Sequence, residues 1–231
     1  MDPLETGGAE GAAGAAQQAG VPPAPWRLRG CAHASLWQVP LPGEAMRPAG
    51  GTRVAALAGR TLVVTVWARY TSAGTLAYDE LIAATVLRGS GVLAPACTVG
   101  MAWVDDETAA RGGRALWHIP KELGAFATQP SADAAYGEGG VFGAALSQDG
   151  RELAALRFEP GWRLPGRVRF PVWTIQHGEG GPVRTRCLVS GRLQQGTAHW
   201  RFAAEGPLGF LHGRKPLASA RLDELSADFG V

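Results

Sequence analysis

Along most of the chain, apolar residues recur in short runs or alternate with polar ones at the two-residue period of a strand, between breaks rich in Gly and Pro. LWQVPL (36–41), RTLVVTVWARY (60–70), LIAATVLRG (81–89) and ACTVGMAWVD (96–105) are the first such runs. The texture returns in GVFGAALS (140–147), ELAALRFEP (152–160), RVRFPVWTIQHG (167–178), RTRCLVSGRLQQG (184–196) and TAHWRFAAEG (197–206). Helical periodicity is scarce. DDETAARGG (105–113) opens on acidic residues, which favour a helix N-terminus, and closes on a Gly pair, predicting about two turns. SARLDELSADFG (219–230) spaces Leu222, Leu225 and Phe229 as a helix would and ends at Gly230, predicting a second. So many strands, with 33 glycines and 16 prolines to turn them, predict a barrel or a sandwich.

The organisation is that of one domain. The first twenty residues are small and acidic, without a basic start or an apolar core, and read as a disordered tail (1–20) rather than a leader. A single domain over 21–231 follows, its first core anchors Trp26 and Leu28. The repeated GEGG at 137–140 and 178–181 has no Lys-Ser/Thr to cradle a phosphate and reads as hairpin turns. A net charge of +2 without charge blocks leaves no footprint for nucleic acid or an anionic membrane, and no apolar run is long enough to span one. Cys31, Cys97 and Cys187 stand apart in an odd number, predicting reduced thiols and a cytoplasmic protein. The five histidines form no close pair, so no metal site is expected.

Positive charge rests on arginine, with lysine only at 121 and 215. Lys215, beside Arg214 and before a proline, reads as a solvated turn charge. Lys121 lies in GGRALWHIPKELGAF (112–126), where Leu116, Trp117, Ile119, Leu123 and Phe126 can wall off water and Arg114 can supply a neighbouring cation. Burial disfavours an ammonium, and the freed amine can attack a carbonyl to form a Schiff base, an electron sink for breaking an adjacent carbon–carbon bond. The plain alternative is a surface lysine lying over Trp117. Pro120 predicts an extended approach through His118 and Ile119. His118, three residues upstream of the lysine, is a candidate proton shuttle or a packed side chain.

GGRALWHIPKELGAF resembles the active-site segment of the acetoacetate decarboxylase-like superfamily, in which an arginine is followed at this interval by Pro-Lys. Upstream, AYDELIAATVL is similar to that family's segment with an acidic residue two places after a tyrosine, here Tyr78 and Glu80. MAWVDDETAARGGR leads into the lysine as the family's strand and turn do, so the motifs span roughly 76–128. The resemblance implies a mainly β, closed β-barrel-like fold with a few short helices around an apolar cavity, no metal or organic cofactor, and a possible homo-oligomer. It implies a Schiff base on Lys121, with Glu80 as acid/base or orienting group. Arg114, His118, Trp117 and Tyr78 are the candidates for substrate binding or proton transfer.

Two departures bear on the reaction. The decarboxylase carries a second lysine after the first and an acidic residue after the arginine, where this chain has Glu122 and Ala115. Neighbours in an extended segment point to opposite faces, which would keep Glu122 away from Lys121. The family's N-terminal substrate arginine falls on Cys31 when counted from Pro-Trp. The expected function is a cofactor-independent lyase acting on a small-molecule keto acid or related carbonyl compound, by β-keto acid decarboxylation or by aldol condensation and dehydration through the same iminium. The alternative is a non-catalytic barrel that binds an apolar small molecule.

Overall fold

The computed structural model of the chain describes residues 20–40, 46–48, 52–57, 59–88, 94–129 and 140–231, with Gly14 and Gln17. The expected tail over 1–20 and the turn over 137–140 lie almost wholly outside the described residues. The described part is mainly β. Its strands are β1 (Trp26–Pro40), β2 (Arg53–Val54), β3 (Ala56–Leu57), β4 (Arg60–Tyr70), β5 (Tyr78–Arg88) and β6 (Ala96–Val104). After the helix α1 (Glu107–Trp117) come β7 (Lys121–Leu123), β8 (Ala125–Gln129), β9 (Phe142–Gln148), β10 (Arg151–Arg163), β11 (Val168–Gly178), β12 (Gly181–Phe202) and β13 (Ala218–Phe229).

These strands form one hydrogen-bonded sheet in the order β11-β6-β5-β4-β1-β13-β12-β10-β9-β8. Because β12 also pairs with β11, the first seven close into a ring. The closure is thin at one seam: β6 and β11 run parallel and share only Trp173↔Ala96 and Thr174↔Cys97. Every other link of the ring is an antiparallel ladder, as in β1–β4 from Gly30↔Tyr70 to Pro40↔Arg60.

The two-residue alternation divides most of the buried side chains between two cores, beside a small third cluster of Leu87, Ala96 and Ile175. Leu28, Ala32, Val64, Val66, Ala84, Val99, Leu222 and Leu225 belong to the core inside the ring. The opposite face of β1, β4, β5 and β6 presents Trp37, Val63, Trp67, Leu81 and Trp103 to β9, β10 and the far half of β12, with Leu146 and Phe158 in the second core. Each such side chain, fully buried, stabilises the fold by roughly 1.5–3 kcal/mol.

Three local expectations change. The segment 219–230, expected as a helix, is strand β13, paired on both sides with β1 and β12. A bulge explains the misleading spacing: the register slips opposite Gly30/Ala32 and Ser190/Arg192, and Glu224 has φ 48°. The extra residue puts Leu222 and Leu225 on the same face three positions apart, as a helix would. Next, the runs at 184–196 and 197–206 are not two strands: β12 passes through both without a break, from Gly181 to Phe202. Gly196, read as a break, lies within β12 because a Cβ there would run into the Phe158 ring. Finally, α1 continues through Gly112 and Gly113 to Trp117, since both glycines give room to packed side chains instead of ending the helix.

Several expectations hold as local structure. The GEGG at 178–181 turns β11 into β12 through Gly178↔Gly181. Lys215 is exposed in a turn-rich segment, and all three cysteines are free. No helix among the described residues is long and apolar enough to cross a membrane.

Candidate active site

Lys121 reaches its position through the way α1 ends. Asp106 caps the helix start by accepting from the Ala109 amide at 2.7 Å. At the other end His118 adopts the left-handed conformation, φ 53°, and the Ile119 amide returns to the Gly113 carbonyl at 3.0 Å. His118 is therefore a helix C-cap and not the extended residue expected from Pro120, which restricts Ile119 alone. Beyond the proline, β7 joins β6 in parallel, Lys121 opposite Ala102 and Glu122 opposite Trp103.

The strand then separates the two neighbours. The Lys121 side chain enters the ring and is 4% exposed. Glu122 stays outside, where Gln148 Nε2 donates to its carboxylate at 2.8 Å. The Lys121 stem lies against Gly113 of α1 so closely that a Cβ on this glycine would stand 2.5 Å from Cδ.

Inside the ring the amine meets a carboxylate and a phenol, with a second phenol packed against the first. Lys121 Nζ lies 2.6 Å from Glu80 Oε1 and 3.3 Å from Tyr78 Oη, and 4.9 Å from the centre of the Tyr78 ring. Tyr70, opposite Tyr78 in the β4–β5 ladder, packs its ring 4.8 Å from that of Tyr78, close enough for the Glu80 charge to act on its phenol. Burial first, and then the Glu80 charge, push both phenols well above their ordinary range, so they remain protonated donors. Tyr78 and Glu80 share a face because they are two residues apart in β5.

The amine opens on a cavity of about 390 Å³ within the ring. Leucine, valine, alanine and aromatic side chains make up most of the wall, with Trp117 and Ile119 beside Lys121. Trp117 is held edge-on by Trp26 at 4.8 Å and by Phe229 at 4.7 Å, which fixes α1 over this end of the ring. Cys97 and Cys187 also line the cavity, and burial pushes both thiols up to about 12.

Of the residues singled out from sequence, Lys121, Glu80, Tyr78 and Trp117 come together at the cavity, and two do not. His118 projects to solvent at the helix end, because the C-cap conformation turns it outward. Arg114 lies outside as well, donating through Nη1 to the Lys121 backbone carbonyl, so it ties α1 to β7 and brings no cation to the amine. Gln176 contributes to the same ordering: its amide bridges Val99, accepting from N and donating to O at 2.8 Å, and donates to the His118 carbonyl at 3.4 Å.

Sequence reading passed over Tyr70. The signal was present, since alternation along 60–70 puts Val64, Val66 and Tyr70 on one face, with the hydroxyl at its end. Arg221 is in register with His33, on the face of β13 opposite Leu222, and is tied to Asp223 at 2.5 Å. Among the described residues, no group of His, Cys, Asp or Glu is arranged to hold a metal ion.

Comparison with known proteins adds a frame to this geometry. The sequence model of the family described as acetoacetate decarboxylase (ADC) matches residues 49–227, more than half of the chain. No curated protein sequence matches. Among solved structures, the enduracididine biosynthesis enzyme MppR, complexed with the condensation product of pyruvate and imidazole 4-carboxaldehyde, superposes with a TM-score of 0.63 at 17% identity. It covers 91% of this chain and 89% of its own. The acetoacetate decarboxylase of Legionella pneumophila gives 0.60 at 14% identity over 90% and 85%. An acetoacetate decarboxylase-like enzyme from Sphingomonas wittichii gives 0.56 at 19% over 89% of each. At these identities the superpositions establish a shared fold.

Proposed function

The chain belongs to the acetoacetate decarboxylase family, and from that membership we propose that it is a cofactor-independent lyase acting on a keto acid or related carbonyl compound through a Schiff base on Lys121. The supporting observation is the amine itself: 4% exposed, at the end of an apolar cavity, with Glu80 Oε1 at 2.6 Å. A lysine serving only as a surface charge would not be enclosed this way. Removing charge from water costs several kcal/mol per ion, so such a pair suits a functional role better than a purely stabilising one.

In the proposed cycle Glu80 takes a proton from the ammonium, and the neutral Nζ adds to the substrate ketone. Tyr78 or Tyr70, both protonated, donates to the developing alkoxide. The carbinolamine loses water to give an iminium. With a β-keto acid, the bond to the carboxylate breaks, carbon dioxide leaves, and the electron pair flows into the iminium to form an enamine. Protonation at carbon and hydrolysis by water then release the ketone and the free amine. The apolar wall favours loss of a carboxylate, because the negative carboxylate and the positive iminium cancel as carbon dioxide and a neutral enamine form.

Aldol condensation with dehydration uses the same iminium and is the second reading. It is favoured by Glu122 standing where the decarboxylase has a second lysine. A MppR structure holding a condensation product of pyruvate makes pyruvate with an aldehyde the natural probe. The non-catalytic reading, an apolar molecule bound in the same barrel, leaves the enclosed amine without a task.

The test is carbonyl oxygen exchange. A ketone that cycles through an iminium exchanges its oxygen with heavy-oxygen water, whether or not it reacts further. The proposal predicts enzyme-dependent exchange that Lys121→Arg abolishes. Exchange at the buffer rate for a panel of ketones refutes it.

A further inference from the structure

We propose that the carbonyl compound taken by Lys121 carries an extended apolar chain, which lies in the ring beyond the amine against Ile82, Ala84 and Val86 of β5. The reactive end rests on the Schiff-base reading above. The chain follows from the volume and lining of the cavity.

Room is set by volume. At about 30 Å³ for each water-sized group, a cavity of about 390 Å³ holds on the order of a dozen heavy atoms, so acetoacetate would fill only about half of it. Lys121 stands opposite Ala102 of β6, and Glu80 opposite Val104, which places both at one end of the β5–β6 wall.

The lining has a direction. Hydrogen-bonding groups gather at the amine: Glu80, Tyr70 and Tyr78. Beyond them β4 and β5 contribute Val64, Val66, Ile82 and Ala84, faced by Val99 and Leu193. Thr174, at the level of Cys97, brings a polar atom to this wall: its Oγ1 is buried without a hydrogen-bond partner.

Phe170, 38% exposed, also lines the cavity. A valine-rich wall around a reactive amine suits a carbonyl compound that carries an apolar chain.

The experiment is a length series. The full chain is treated with borohydride in the presence of straight-chain 3-oxo acids and methyl ketones of four to sixteen carbons, and the concentration giving half-maximal adduct is read by intact mass. Binding of unreactive straight-chain alcohols of matching length is followed in parallel by calorimetry. Each added methylene is expected to tighten both by about fourfold, levelling off at on the order of a dozen heavy atoms. Ala84→Phe, in the wall beyond the amine, is expected to end the gain at a shorter length. Should it fail to fold, the wild-type series decides. Adducts that form equally well at every length, or best with the shortest acids, overturn the extended chain and leave the Schiff base standing. If no carbonyl compound is trapped, the Schiff base is overturned and with it the proposed substrate class, even where the alcohols still show the length dependence.

Discussion

Gly113 and Lys121 are fitted to each other: a Cβ at position 113 would lie 2.5 Å from Cδ and 2.8 Å from Cε of the lysine. The helix thus comes within touching distance of the stem that carries the amine. Gly113→Ala gains about 1 kcal/mol of helix propensity but must displace the stem or the helix. A shift near 1 Å in a reacting group costs on the order of 100-fold in rate. The expected outcome is a folded variant, with a melting temperature close to wild type and reductive adduct formation slowed by about that factor. An unchanged rate would separate the glycine from the function of the lysine.

Glu80 and Lys121 form an ion pair in which both side chains are buried. Removing one partner of such a pair leaves the other charge uncompensated, at a cost of about 3–5 kcal/mol. Glu80→Gln is therefore expected to lower the unfolding free energy by that amount in urea titrations. Adding Lys121→Met is expected to restore most of it. A double variant no more stable than the single one would mean that the pair is not coupled as its geometry indicates.

His33 gives the fold a pH dependence. Its ring stacks on Phe142 at 4.0 Å, and Nε2 is buried without a hydrogen-bond partner. Burial, and then the charge of Arg221, lower it from 6.5 to about 3. Between these values the unfolded chain binds a proton that the folded one refuses, so stability falls as pH falls through this window. The slope is about 1.4 kcal/mol per pH unit. Urea midpoints measured from pH 7 down to about pH 5 are expected to show a loss of about 2 kcal/mol that is largely absent in His33→Phe. Equal losses in the two proteins would assign the dependence to other groups.

Cys97 and Cys187, both held up to about 12 by burial, are thiols at any ordinary pH. Iodoacetamide at about pH 8 is expected to leave them unmodified in the folded protein and to label them promptly in urea. Prompt labelling of either in the native state would show a wall more open than the cavity described.

Much of this was legible in the chain. Alternation in 60–70 and 81–89 fixed which face of β4 and β5 turns inward, and Tyr78 and Glu80 fell together on it. The motif around Lys121 led to the family. What alternation could not reveal was any place where an added residue or a helix end breaks the period. The bulge at Asp223–Glu224 disguised β13 as a helix, and the left-handed cap at His118 turned outward a side chain that spacing alone brought close to the lysine. Glycine was ambiguous for a related reason: at 112, 113 and 196 it marks close packing, which a sequence writes with the same letter as a turn.

The central claim is tested most directly by reductive trapping. The protein is incubated with a panel of 2-keto and 3-keto acids, reduced with borohydride and weighed intact. The expected result is a single covalent adduct in the wild type, of the mass of the imine reduced to an amine, and none in Lys121→Arg. A wild type left unmodified by the whole panel, or an adduct that persists in the variant, would contradict it.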